Sequence, residues 1–376
     1  MEININVRRL TDEFKELVAV DSLSLKEGRM TKIIKKKVAK LGFEVKVDDS
    51  AERIGGETGN LIATRTGEPG ARPVFFAAHM DTVSPGSGKT AVEKDGVITS
   101  DGSTVLGGDD LGGIACLLEG IRAALDSGMR LGEIQLIFTV AEEIGLVGAR
   151  NLDYSLVHAK EGYVLDHGGK PGSVCVGGPA QDDLEIQITG KPAHAGVEPE
   201  KGISAIQVFA HGVSKMHLGR IDGETTANIG IVQAGSATNI VCGSLWAKAE
   251  VRSRNMLKLT AQVEHMKHCL ERTAEEFGAK ADIKVRREYE AYQVREDEPV
   301  MVSLRKAAAQ AGIEVVPEQT GGGSDTNIFH ARGLRAVNLS IGMERVHTLE
   351  ERIAIADMAA SARMVAEILR VYGSGE

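Results

Sequence analysis

Two kinds of apolar periodicity alternate along this chain, and their character changes in the middle. Helical spacing over residues 7–20 and 30–41 gives way to short β-branched or aromatic runs at 43–47, 61–64 and 74–77. Residues 111–125 read as a long apolar helix. Residues 134–140 read as an apolar strand of the kind covered on both faces, and 163–165 as another. Strands alternating with helices predict an α/β fold with a mainly parallel sheet and helices on both faces. Near Gly178-Pro179 the pattern becomes in–out alternation through Leu184, Ile186 and Ile188. A helix over 203–217, strands over 226–233 and 240–251, a helix over 257–277 and a strand over 281–287 follow. That is the β-α-β-β-α-β order of a ferredoxin-like α+β unit. From Glu298 the first texture resumes, with a helix over 300–311, a strand over 336–339 and a helix over 352–371. The expectation is a discontinuous α/β domain, residues 1–179 and 293–376, interrupted by an inserted domain at 180–292. The strand around Leu184–Ile188 is expected at an open sheet edge, where a second copy could pair, and the tail 373–376 is expected to fray.

Composition narrows the function classes. At 376 residues the chain exceeds one ordinary core. Lys plus Arg number 44 against 53 Asp plus Glu, a formal net charge of −9, which argues against nucleic acid as the partner. No apolar run reaches the roughly 18 residues of a membrane helix, and no apolar leader follows Met1. Cys116, Cys175, Cys242 and Cys269 lie far apart, as reduced thiols of a cytoplasmic protein would.

Five short segments place His, Asp and Glu beyond strands, where α/β proteins build sites. In Ala78-His79-Met80-Asp81 the His and the acid leave the same face of an extended stretch, and Asp81 is placed to orient the imidazole. Asp109-Asp110 follows two glycines at the start of the apolar helix, and one carboxylate there could bridge two cations. Glu142-Glu143 ends the most apolar strand. Two adjacent carboxylates with little water repel each other, and a cation relieves that cost. One Glu would then bind the metal and the other would act as a general base. Asp166 and His347 complete a set of oxygen and imidazole donors that suits zinc, or manganese or cobalt in its place. Other motifs fail: Gly86-Ser-Gly-Lys89-Thr90 lacks the first glycine of a phosphate loop, and Gly321-Gly-Gly-Ser-Asp325 opens no dinucleotide unit.

Together the five segments resemble the co-catalytic zinc peptidases, the family of peptidase T, glutamate carboxypeptidase, carnosinase and aminoacylase. Ser100-Asp-Gly-Ser-Thr-Val-Leu-Gly-Gly-Asp-Asp110 and Ala141-Glu-Glu-Ile-Gly145 look most like the peptidase T-like aminotripeptidases. The resemblance implies two zinc ions per chain, one held by His79, Asp109 and Asp166, the other by Asp109, Glu143 and His347. It implies Glu142 as general base and Asp81 as the acid behind His79. Asp rather than Glu at 166 favours the aminopeptidase side of the family. His194, in Gly190-Lys-Pro-Ala-His194-Ala-Gly196, matches a histidine that reaches the oxyanion in the partner's site of a homodimer formed by the inserted domain. Asn239 and Arg252 match positions that grip the substrate's carboxylate.

The expected function is removal of the N-terminal residue from short peptides, tripeptides in particular. The rivals are an N-acyl amino acid or dipeptide hydrolase of the same superfamily and a metal-binding protein without catalysis.

Overall fold

The computed structural model describes residues 3–375, which divide into two compact units. One consists of the chain up to Val176 with Gln293–Gln319 and the segment from Ser324 on; the other is Gly177–Tyr292 with Thr320–Gly323.

The centre of the first unit is a parallel set in the order Ile134–Thr139, Val74–His79, Glu161–His167, Arg335–Ser340. Leu61–Arg65 joins antiparallel on one side and Ser173–Gly178 on the other. Every residue of Val74–His79 and Ile134–Thr139 is buried, as strands covered on both faces require. The helix Gly108–Asp126 is buried almost all round, because it lies between the strands Val74–His79 and Glu161–His167 and the helices Val7–Val18 and Ile355–Ser374. Its closeness to the sheet depends on Gly113. A Cβ there would stand 2.1 Å from Asp110 Oδ1 and 2.3 Å from the Leu165 carbonyl.

A small antiparallel sheet of Ala91–Lys94, Val97–Ser100, Arg352–Ala354 and Met343–Glu344 was not anticipated, since strands of two to four residues leave little periodicity to read. His347 lies between two of its strands, and the helix whose first turn holds Asp109 follows its strand Val97–Ser100. The end of the chain also departs from expectation. The last helix runs to Ser374 and buries Gly373, where a Cβ would lie 1.9 Å from the Arg130 carbonyl.

The second unit is an antiparallel sheet in the order Gly219–Arg220, Thr225–Ala234, Ser244–Ser253, Ala180–Thr189, Lys280–Tyr289, with the helices Ala205–Val213 and Met256–Phe277 packed on it. This is the ferredoxin-like arrangement. Leu184, Ile186 and Ile188 meet Val208, Leu259, Val263, Met266 and Leu270 in its core. The expected edge position of Leu184–Ile188 is corrected: Ala180–Thr189 pairs on both sides, with Ser244–Ser253 and Lys280–Tyr289. Alternation reveals which face of a strand is buried, not its place across the sheet. The open edges are Lys280–Tyr289, whose far side pairs with no strand among the described residues, and Thr225–Ala234, whose far side is paired only at Thr226 and Ala227 and which exposes Ile231 and Val232.

Candidate metal centre

The parallel strands deliver three of the donors from their carboxyl ends. His79 closes Val74–His79, Glu142 and Glu143 follow Ile134–Thr139, and Asp166 lies near the end of Glu161–His167. His79 Nε2 stands 2.9 Å from Asp109 Oδ1 and 3.8 Å from Asp166 Oδ1. His347 Nε2 stands 3.2 Å from Asp109 Oδ2 and 3.0 Å from Glu143 Oε2. Asp109 therefore turns one oxygen toward each imidazole, as a carboxylate shared by two cations would. The five expected donors converge on one place.

A sixth residue, the acid Asp110, belongs to the same cluster. Ligand atoms of His79, Asp109 and Glu143 lie within 4.8 Å of one another, and so do those of His79, Asp110 and Asp166. Asp110 Oδ2 accepts the His79 backbone N–H at 3.1 Å, whereas its buried Oδ1 has no hydrogen-bond partner among the described residues. An orphaned buried oxygen among acids and imidazoles fits a cation-binding cluster.

Behind the donors, three buried carboxylates hold backbone amides. Asp81, fully buried, accepts the N–H groups of Glu142 at 3.0 Å and Glu143 at 3.2 Å and the Ser24 hydroxyl at 2.7 Å. The His79 ring, expected to lean on that carboxylate, has Nδ1 at 2.9 Å from Asp81's own carbonyl and 3.5 Å from its Oδ1. Glu27 Oε1 accepts the Ala141 N–H at 2.9 Å. Glu351 accepts the N–H groups of Gly107 and Asp109. Ala141 (φ 51°) and His347 (φ 63°) hold left-handed backbone, a strain that a non-glycine residue keeps only when its surroundings fix it. Asp325, dismissed with its glycine run at the sequence level, is buried and accepts the Thr139 hydroxyl at 2.5 Å.

The protonation equilibria report crowding. Burial, reinforced by the Asp109 charge, pushes the Asp166 carboxyl well above its usual range. Burial likewise raises Glu142, with Asp166, Asp325 and Glu143 adding to it against His79. Although burial opposes it, hydrogen bonds from the two imidazoles hold Asp109 below the ordinary carboxylate range. His347 is pushed up to about 10 by its hydrogen bonds to Asp109 and Glu143. Protons thus compensate a surplus of negative charge that divalent cations would compensate instead.

The remaining sequence candidates lie in the second unit. His194 and Asn239 come together there: His194 bridges Ile240, and the Ala195 N–H donates to the Asn239 carbonyl at 3.0 Å, with both side chains exposed. Arg252 is half-buried, and its guanidinium meets Glu250 through Nε at 3.1 Å and Nη2 at 3.0 Å. In the first unit, Lys89 of the rejected phosphate loop is buried and donates to the Val20 and Gly86 carbonyls, both at 3.0 Å. No helix among the described residues is long and apolar enough to cross a membrane.

Residues 75–371 match the sequence profile of Peptidase family M20/M25/M40. The chain belongs to that family. It is similar to the crystal structure of the aminopeptidase PepT from Bacillus cereus ATCC 10987, with a TM-score of 0.90 and 44% identity over 98% of this chain and 99% of that one. It is also similar to a tripeptidase from Staphylococcus aureus Mu50, with a TM-score of 0.94 and 37% identity over 98% and 99%. Peptidase T of Clostridium perfringens SM101 is 25% identical over 97% of this chain and 99% of its own length. The M20 membership agrees with the resemblance carried by the five motif segments.

Proposed function

We propose that this M20 chain is a dizinc aminopeptidase that releases the N-terminal residue of short peptides, tripeptides in particular. The observation that carries the reading is the division of Asp109 between His79 and His347, one oxygen to each. His79, Asp109 and Asp166 would hold one ion, and Asp109, Glu143 and His347 the other. Divalent ions bound there supply Lewis acidity, acidifying water and polarising a carbonyl. Glu142 takes the proton of the attacking water and passes it to the leaving amine. Its half-buried, acid-crowded setting keeps its pKa above that of a free carboxylate, nearer to what a proton carrier at neutral pH needs. Support for the substrate class comes from the aminopeptidase and tripeptidase relatives and from Asp at position 166.

The second unit has its own part in the proposal. It acts as lid and dimerisation domain, and a second copy pairs along the open Thr225–Ala234 edge. His194 steadies the oxyanion of the partner's site, and Asn239 and Arg252 hold the peptide's carboxylate, Arg252 by exchanging Glu250 for it. The protein acts in the cytoplasm.

The test is a release assay on di-, tri- and N-acylated peptides, with metal analysis of the same preparation. Two divalent ions per chain, chelator-sensitive release of the first residue from tripeptides and inactivity on N-acylated substrates are expected. Activity untouched by chelation would refute the reading. Preference for acylated substrates would move the chain to the acyl amino acid hydrolases.

A further inference from the structure

Glu351 is a carboxylate without an ion-pair partner among the described residues, 1% exposed, four residues beyond His347. Its Oε2 accepts the Gly107 N–H at 2.8 Å and its Oε1 the Asp109 N–H at 3.0 Å. Space for it exists because position 108 has no side chain: a Cβ on Gly108 would lie 3.1 Å from Oε1. On its own side, the Glu351 N–H donates to the Thr348 carbonyl at 3.2 Å, which closes a turn just after His347. The Ser100 hydroxyl contacts the Leu349 carbonyl at 3.3 Å and so ties the same turn to the small sheet. One side chain therefore joins the loop that presents Asp109 to the loop that presents His347.

We propose that Glu351 is a positioning residue that sets the spacing of Asp109 and His347, and through it the affinity of the ion held by Asp109, Glu143 and His347. This rests on the two-ion reading above. The other ion shares Asp109 but keeps two donors, His79 and Asp166, that come from the central strands and that Glu351 does not touch, whereas the ion in question takes both Asp109 and His347 from the segments that Glu351 joins. Loss of Glu351 should therefore weaken the ion held by Asp109, Glu143 and His347 much more than the other. A general loss of folding stability would weaken both alike.

Calorimetric titration of metal-free protein with Zn2+, followed by Co2+ absorption spectra, tests this directly. In Glu351→Gln an amide NH2 must face one of the two N–H donors, so one anchor is lost. The expected result is a first ion bound within about threefold of wild type and a second weakened about 10- to 100-fold, the range for partners behind a ligand. Glu351→Asp keeps the charge and should recover part of the difference, which also serves if the Gln variant folds poorly. Glu350→Gln, at an exposed neighbour paired with Arg345, should leave both ions unchanged. Equal weakening of both ions, or two wild-type affinities in both Glu351 variants, would overturn the proposal. A wild-type protein that binds fewer than two ions would instead overturn the two-ion reading, and this proposal with it.

Discussion

Asp81 accepts the backbone N–H of Glu142 at 3.0 Å, so the acid expected to steer the His79 ring also holds the turn that aims the proposed general base. Asp81→Ala would leave the amides of Glu142 and Glu143 buried without an acceptor, at about 1–3 kcal/mol each. Thermal melts of metal-free protein should show that loss. The kcat for a tripeptide should fall at least tenfold even at saturating metal. A variant with wild-type kcat would show that the turn keeps its aim without Asp81.

Glu142→Gln and Glu143→Gln should separate base from ligand. The first removes a proton carrier and should lower kcat by about 10²–10⁴ while two ions remain bound. The second should lower metal content as well. Reversed metal contents would mean the two roles are exchanged.

Asp109→Ala should release both ions, because its two oxygens face two different histidines. Asp166→Ala should release only one. Elemental analysis after dialysis distinguishes them, and retention of both ions in Asp109→Ala would refute a shared carboxylate.

Burial, helped by the Asp81 charge, pushes Glu27 up to about 7. A carboxyl raised on folding stabilises the folded state when protonated. Its contribution is present below the unfolded value near 4.5 and is lost as pH rises through 7. Urea melts of metal-free protein should thus lose stability of the order of 3 kcal/mol from this group between pH 5 and 8. Glu27→Gln, which stays neutral, should flatten that slope. An unchanged slope would assign the pH dependence to other groups.

Mixing inactive His194→Ala chains with inactive Glu142→Gln chains should restore activity if His194 serves the partner's site. The mixed dimer then contains one site with both groups. No recovery despite confirmed subunit exchange would confine His194 to its own chain or exclude it from catalysis.

Much of this arrangement was legible in the sequence for a physical reason. Strands buried on both faces leave runs such as 134–140, and acids placed after such runs stand out because burial makes them costly. Glu143 and Asp166 were visible in that way, His79 by its place after such a run, Asp109 by the glycines before it at a helix start, and His347 only as the imidazole that completes the set. Glu27 and Glu351 were not, since each acts on a backbone amide far away in the chain, 114 residues for Ala141 and 242 for Asp109, and no local pattern encodes such a partner. Asp325 was hidden by its glycine run, which resembles a nucleotide loop and not a strand end. The position of Ala180–Thr189 inside its sheet was equally unreadable, because pairing order is a property of the whole unit.

The strand Arg335–Ser340 lies between Glu161–His167 and Ser173–Gly178, yet it is made about 170 residues after the first of them. At the usual pace of translation, about 5–20 residues per second, the nascent sheet waits roughly 10–35 s for its missing member. During that time the edge of Glu161–His167 is bare, and the ribosome is busy with the whole ferredoxin-like insert. Synthesis on the ribosome is thus a stage at which an unpaired strand edge exposes this chain to aggregation. Slowing translation downstream of the insert should lower its soluble yield more than slowing it upstream.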